Sequence, residues 1–120
     1  MHGGIEDMFG VTLDSMTQSS HLFPQVRKDE LAEGDCVIIR TVRSEYVLRV
    51  LSDGLYEVRG GWFDEKGYAP MITGVSGATW GGNAIMPMLL AACGLRVEFW
   101  NRLITSPVRS VVVIPGRLSN

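Results

Sequence analysis

Between residues 34 and 61 the chain carries three short apolar runs separated by connections of two or three residues, and nothing else in it restricts the fold as strongly. The turn Glu33-Gly34-Asp35 leads into residues 36–42 (Cys-Val-Ile-Ile-Arg-Thr-Val). Arg43-Ser44 connects these to residues 45–51 (Glu-Tyr-Val-Leu-Arg-Val-Leu). Ser52-Asp53-Gly54 then leads into residues 55–59 (Leu-Tyr-Glu-Val-Arg). The runs are rich in β-branched and aromatic residues, as strands are. Connections this short join only antiparallel neighbours, and Asp-Gly is a strong hairpin signal. The reading is an antiparallel meander. In the second run Tyr46, Leu48 and Val50 share one side, while Val47 and Leu51 flank Arg49 on the other. A sheet with one wet face alternates more cleanly, so the second face calls for a cover: a curled barrel wall, a helix or another subunit.

Beyond the meander the pattern is less regular. Residues 62–70 read as an irregular loop and 71–73 as a short strand. Gly74, Gly77, Gly81 and Gly82 make 74–83 a loop. Asn83 is placed to cap a short helix over 84–92, with Pro87 in its first turn and Gly94 as its stop. Leu95, Val97 and Phe99 alternate with Arg96, Glu98 and Trp100 as a half-buried strand does. Asn101-Arg102 reads as a turn, Ser106-Pro107 as a bend, and 108–114 as the last strand. The expected fold is mainly β: a small antiparallel barrel or roll of SH3-like or Sm-like size, with five to seven strands and one short helix, over residues 25–120. Residues 1–24 read as a flexible N-terminal arm with Ile5, Met8, Phe9, Leu13 and Met16 at helical spacing.

Composition narrows the function class. At 46% hydrophobic and 20% charged, the chain is globular rather than disordered. A net charge of −2 excludes a strongly basic nucleic-acid binder as a whole-chain property. Charge is uneven, acidic over residues 1–33 and basic over 96–120, which bears on orientation in an assembly more than on affinity. Cys36 and Cys93 are too few for a disulfide framework and lack metal-ligand spacing, so they read as reduced thiols in a cytoplasmic protein. The longest apolar run, 84–95, falls short of the roughly 20 residues a helix needs to cross a bilayer, so no membrane role is expected.

Tests for catalytic and cofactor motifs are negative. Gly74-Val75-Ser76-Gly77-Ala78 resembles a nucleophile elbow, but Ala78 replaces the last glycine and both histidines, His2 and His21, lie upstream. Residues 77–82 (Gly-Ala-Thr-Trp-Gly-Gly) lack the Gly-Lys-Ser/Thr of a phosphate loop, and no βαβ unit surrounds them. With Asn83 they could present backbone N–H groups to an anion at the expected helix start, which makes Trp80, Gly81, Gly82 and Asn83 candidate ligand residues. No cofactor and no metal are implied. Tyr46, Arg49, Arg59 and Trp62 form a second candidate set, because small barrels bind single strands by stacking and charge.

The segments Thr41-Val42-Arg43-Ser44-Glu45-Tyr46, Val58-Arg59-Gly60-Gly61-Trp62-Phe63, Gly77-Ala78-Thr79-Trp80-Gly81-Gly82 and Thr105-Ser106-Pro107-Val108 together resemble a group of small bacterial β-rich proteins over about residues 34–114. That resemblance brings no activity with it. The early Gly-Asp turn and meander are also similar to SH3-like and Sm-like barrels. Arg59-Gly60 resembles the second Sm motif, but the first motif's Asp and Asn positions are missing, so RNA binding does not carry over. The expected function is binding or assembly: a homo-oligomeric structural or protein-interaction module, with Phe9, Leu13, Trp80 and Trp100 at contacts. The alternative is a nucleic-acid or anion-binding barrel. A third reading is an enzyme with an inter-subunit site around Ser76 and Asn83.

Overall fold

A computed structural model describes residues 21–81 and 84–116. In chain order the elements are β1 (His21–Phe23), β2 (Gln25–Arg27), a 3-10 turn (Lys28–Glu30), β3 (Cys36–Thr41), β4 (Glu45–Val50), β5 (Leu55–Gly60), α1 (Gly61–Glu65), β6 (Met71–Thr79), β7 (Ile85–Met86), β8 (Leu89–Ala92), β9 (Arg96–Phe99) and β10 (Val108–Ile114). The fold is mainly β and antiparallel. One curled eight-stranded sheet runs in the order β1-β10-β3-β4-β5-β6-β7, with β9 also paired to β6, and β2-β8 form a second, two-stranded sheet.

The meander forms as its pattern requires. β3, β4 and β5 pair in sequence, Ile38 opposite Val47 and Val47 opposite Arg59. Both central residues of the Asp53-Gly54 turn have positive φ, 61° and 75°, the geometry that matches strand twist in a two-residue hairpin. Alternation then decides burial. Val37, Ile39, Tyr46, Leu48, Val50, Tyr56 and Val58 point into the core. Ile38, Val47 and Arg49 stay partly exposed on the outer face, and Arg59 is exposed there. The extra apolar residues of the meander are therefore a narrow strip on the convex side, not a second core. The bend at Ser106-Pro107 precedes a register shift in β10 between Val108 and Ser110. An aromatic trio seals one end of the core. Tyr46 (β4), Phe63 (α1) and Phe99 (β9) lie with ring centroids 5.1–6.2 Å apart, the Phe63 contacts edge-to-face.

Several expectations are corrected. The strand count is ten among the described residues, above the five to seven expected. Residues 74–79 are not loop but the second half of β6. Their small residues admit close neighbours: the Trp100 indole occupies the place of a Gly74 side chain, and the Met86 carbonyl lies against Gly77. The helix expected over 84–92 is β7 and β8. All four residues of β8 are buried, which a one-faced helix cannot achieve, because the segment runs beside β2 and packs against β6 and β10. The short helix sits instead at 61–65, within the expected irregular loop, where Gly60 and Gly61 supply φ of 93° and 46° for the sharp turn out of β5. Residues 21–23, read as part of the arm, form β1 on β10. Phe9, Leu13, Gly82 and Asn83 lie outside the described residues, and the residues that Asn83 was read to cap are strands. No helix among the described residues is long and apolar enough to cross a membrane.

Candidate functional site

Above the aromatic trio the structure opens into a cleft of about 580 Å³. Its floor is Tyr46, one wall the β3–β4 connection (Val42, Arg43, Ser44), and another the 103–107 segment that returns from β9 to β10 (Leu103, Ile104, Thr105, Ser106, Pro107). Trp62 and Glu65 from α1 and Arg96 from β9 complete it. The volume lies in the range of small-molecule sites, roughly 300–1,000 Å³.

Each wall is held by a specific local arrangement. The Thr41 hydroxyl donates to the Ser44 carbonyl and accepts from the Ser44 N–H, both at 3.0 Å, closing the tight turn that presents Arg43. The Ser106 hydroxyl donates to Thr41 Oγ1 at 2.8 Å and accepts from the Arg43 N–H at 3.0 Å, so the two walls are tied to each other. Thr105 is buried; its Oγ1 accepts from the Val97 N–H, and its carbonyl accepts from Arg96 Nη1 at 3.2 Å. The third wall depends on two glycines. A side chain on Gly61 would strike the Tyr46 phenol, and one on Gly60 would strike the Glu45 carbonyl, so α1 can lie directly on the sheet and present Trp62. Trp62 packs edge-on against Phe63 at 5.3 Å and tilted against Tyr68 at 5.4 Å. Asp64 accepts the Gly60 N–H at 3.0 Å and steadies the start of the helix.

The electrostatics of the cleft are simple. Among the described residues the ion pairs within 4 Å are Arg27–Asp29, Arg40–Glu45 and Arg59–Glu57. Arg43 and Arg96 therefore have no carboxylate that close among the described residues, and Glu65 has no basic side chain that close among them. Burial pushes the Cys36 and Cys93 thiols and the Tyr56 phenol up, and lowers Lys28, whose Nζ donates to the Val75 carbonyl at 2.5 Å. Hydrogen bonding to Arg27 holds Asp29 below its ordinary value, and Arg27 is raised in return. A raised thiol is the opposite of an activated nucleophile. Among the described residues no three His, Cys, Asp or Glu side chains converge as metal ligands.

The sequence candidates are thus divided. Tyr46 and Trp62 meet in the cleft. Arg49 and Arg59 do not join them: odd-numbered positions of β4 and β5 face outward, where Arg49 stands opposite Glu57 and Arg59 pairs with Glu57. Trp80 is exposed at the end of β6, and Gly81 lies beside the Arg96 side chain. Trp100 is exposed on the outer face over Gly74, with Ile72 two residues away on β6 and on the same face. Sequence reasoning missed Arg43, Glu65, Arg96, Thr105 and Ser106 as a group. The spacing Trp62–Glu65 would have put both on one helical face, had residues 61–65 been read as helix. Comparison of the chain with protein-family models, with curated proteins and with solved structures finds no match.

Proposed function

We propose that this chain is a small-ligand-binding domain whose seat is the cleft between the β3–β4 connection, α1 and the 103–107 segment. The observation that carries the reading is the cleft itself: one concavity of ligand size, with an aromatic floor and a few directed polar groups on walls that are mutually hydrogen-bonded. Such walls are preorganised, so little conformational entropy is lost on binding. The test is a small-fragment screen read by 1H–15N NMR on the full chain. Binders are expected to perturb residues 42–46, 62–65, 96 and 103–107 as one cluster. Perturbations gathered on Ile72, Trp80 or Trp100 instead would overturn it.

A second reading, self-association, is favoured by a different observation. Ile72 and Trp100 are 62% and 56% exposed and share the convex face, and an apolar pair of that kind is a natural interface centre. Sedimentation of the wild type and of Ile72→Asp decides it: an oligomer that the substitution dissociates supports the reading, and a wild-type monomer ends it.

A further inference from the structure

The chemistry of the lining narrows what the cleft takes, and this inference rests on the cleft being a binding site. Arg43 enters it from the β3–β4 connection and Arg96 from β9, and neither guanidinium has a carboxylate within 4 Å among the described residues. Two uncompensated cations on one concavity repel each other, and an anion between them removes that repulsion. Arg96 is already oriented, because Nη1 is spent on the buried Thr105 carbonyl while the rest of the planar fork is left for an anion. Carboxylate and phosphate are the groups whose paired oxygens match that fork. The same lining carries the half-buried indole of Trp62 and the Tyr46 ring, aromatic surface on which a flat body can stack.

Glu65 sets the limit on charge. It lies three residues after Trp62 on the same helical face, at the cleft, with no ion pair within 4 Å among the described residues. Negative charge spread along a ligand would meet this carboxylate, so the ligand's charge must be confined to the arginine end. The chain's net charge of −2 also disfavours a polyanion.

We propose that the cleft binds a small planar-ring compound carrying one anionic group, a carboxylate or a phosphate, with that group between Arg43 and Arg96 and the ring on Trp62. The shared chemistry is an aryl anion. Single-stranded nucleic acid, with a charge at every nucleotide, is the class this arrangement rejects.

The experiment is an NMR titration of the full chain with four probes: indole-3-carboxylate, its neutral amide, phenyl phosphate and inorganic phosphate. The signals followed are the arginine Nε–H groups of Arg43 and Arg96 and the Trp62 indole N–H. Either ring anion, or both, is expected to shift all three, and the tighter of the two identifies the anion. The neutral amide is expected to bind at least about tenfold more weakly, as is the ring anion to Arg43→Gln, since a charged hydrogen bond is removed in each case, and inorganic phosphate likewise, since it lacks the ring that stacks on Trp62. Glu65→Gln is expected to tighten phenyl phosphate severalfold. Equal binding of the amide and the carboxylate, together with an unchanged affinity in Arg43→Gln, would overturn the anion assignment while leaving the cleft as a binding site. No shift at the three groups with any probe would overturn the ligand class, and the fragment screen then decides separately whether the cleft binds anything. Equal binding of a short single-stranded oligonucleotide at the same residues would overturn the limit to one anionic group.

Discussion

Replacing Gly60 by alanine perturbs the joint where β5 becomes α1, and the structure supplies its own control. Gly60 has φ +93°, and a Cβ there would stand 2.2 Å from the Glu45 carbonyl oxygen and 3.2 Å from Tyr46 Cα. Gly54 has φ +75° and nothing within 4 Å of the same position. At Gly54 an L residue meets the left-handed backbone penalty, about 1–2 kcal/mol; at Gly60, with φ 93° and ψ 176°, it meets a backbone region essentially confined to glycine, about 1–3 kcal/mol. At Gly60 the Glu45 carbonyl must also retreat by roughly 1 Å to reach van der Waals distance. That retreat loosens the last β4–β5 rung, Tyr46 opposite Gly60. Shifting packed backbone to admit an added methyl costs about 1–3 kcal/mol. Gly60→Ala should therefore cost about 2–6 kcal/mol and Gly54→Ala about 1–2 kcal/mol, against a total stability of about 5–15 kcal/mol for a domain. Urea unfolding followed by far-ultraviolet circular dichroism measures both, provided the slopes with denaturant agree. In the native state Gly60→Ala should also disturb Trp62, while Gly54→Ala leaves it unchanged. Equal losses for the two variants would refute the argument, because neither the close contact nor the glycine-only backbone at Gly60 would then add a cost.

Phe63 is fully buried and packs against Tyr46, Trp62 and Phe99, so Phe63→Ala should cost about 3–5 kcal/mol in the same unfolding assay; a loss below 1 kcal/mol would show that the aromatic trio does not organise this end of the core. Cys93 is exposed, its Sγ lies 3.5 Å from the Arg109 carbonyl, and desolvation raises its pKa. Its thiolate fraction at pH 7.5 is thus below that of free cysteine, and it should react with a disulfide reagent more slowly than free cysteine; faster reaction contradicts this. Lys28 is lowered from 10.5 by desolvation, so the unfolded chain holds that proton more tightly. Its ammonium penalty is present below the folded value and lifts as pH rises from there towards 10.5. Tyr56, raised from 10.0, acts in the opposite sense, since the unfolded phenol ionises first and stability falls above that pH. The difference between wild type and Lys28→Met, measured at each pH, cancels Tyr56 and should shift in favour of the wild type across the lysine window; a flat difference would reject the assignment.

Elements governed by local periodicity were legible from residues alone. The terminal strand 108–114 is a β-branched run between Pro107 and Pro115, and the β3–β4–β5 meander with its Asp53-Gly54 hairpin and the inward set Leu95, Val97 and Phe99 repeat every two residues between recognisable turns. That pattern specifies which face is buried whatever lies across from it. The segment 74–79 could not be read in the same way. Glycine lowers strand propensity when considered alone, and Gly74 and Gly77 gain their place in β6 only because Trp100 and the Met86 carbonyl occupy the space a side chain would fill. Residues 84–92 show the converse. Their continuous apolar run fits a buried helix or a buried strand equally, and only length and partners separate the two. The partners were β2, β6 and β10, distant in sequence.

The candidate site divides along the same line. Tyr46 and Trp62 stood out as aromatics near arginines, but which arginines accompany them depends on strand parity and loop return. Parity turns Arg49 and Arg59 outward, and the return of 103–107 brings Thr105 and Ser106 beside Arg43 and Arg96. By itself, then, the sequence determined a mainly β antiparallel chain and the inner face of its central strands, because alternation is a property of consecutive residues. The tertiary structure alone decided the conformation of the glycine-rich and uniformly apolar segments and the membership of the cleft, because each depends on contacts between residues that the chain brings together only on folding.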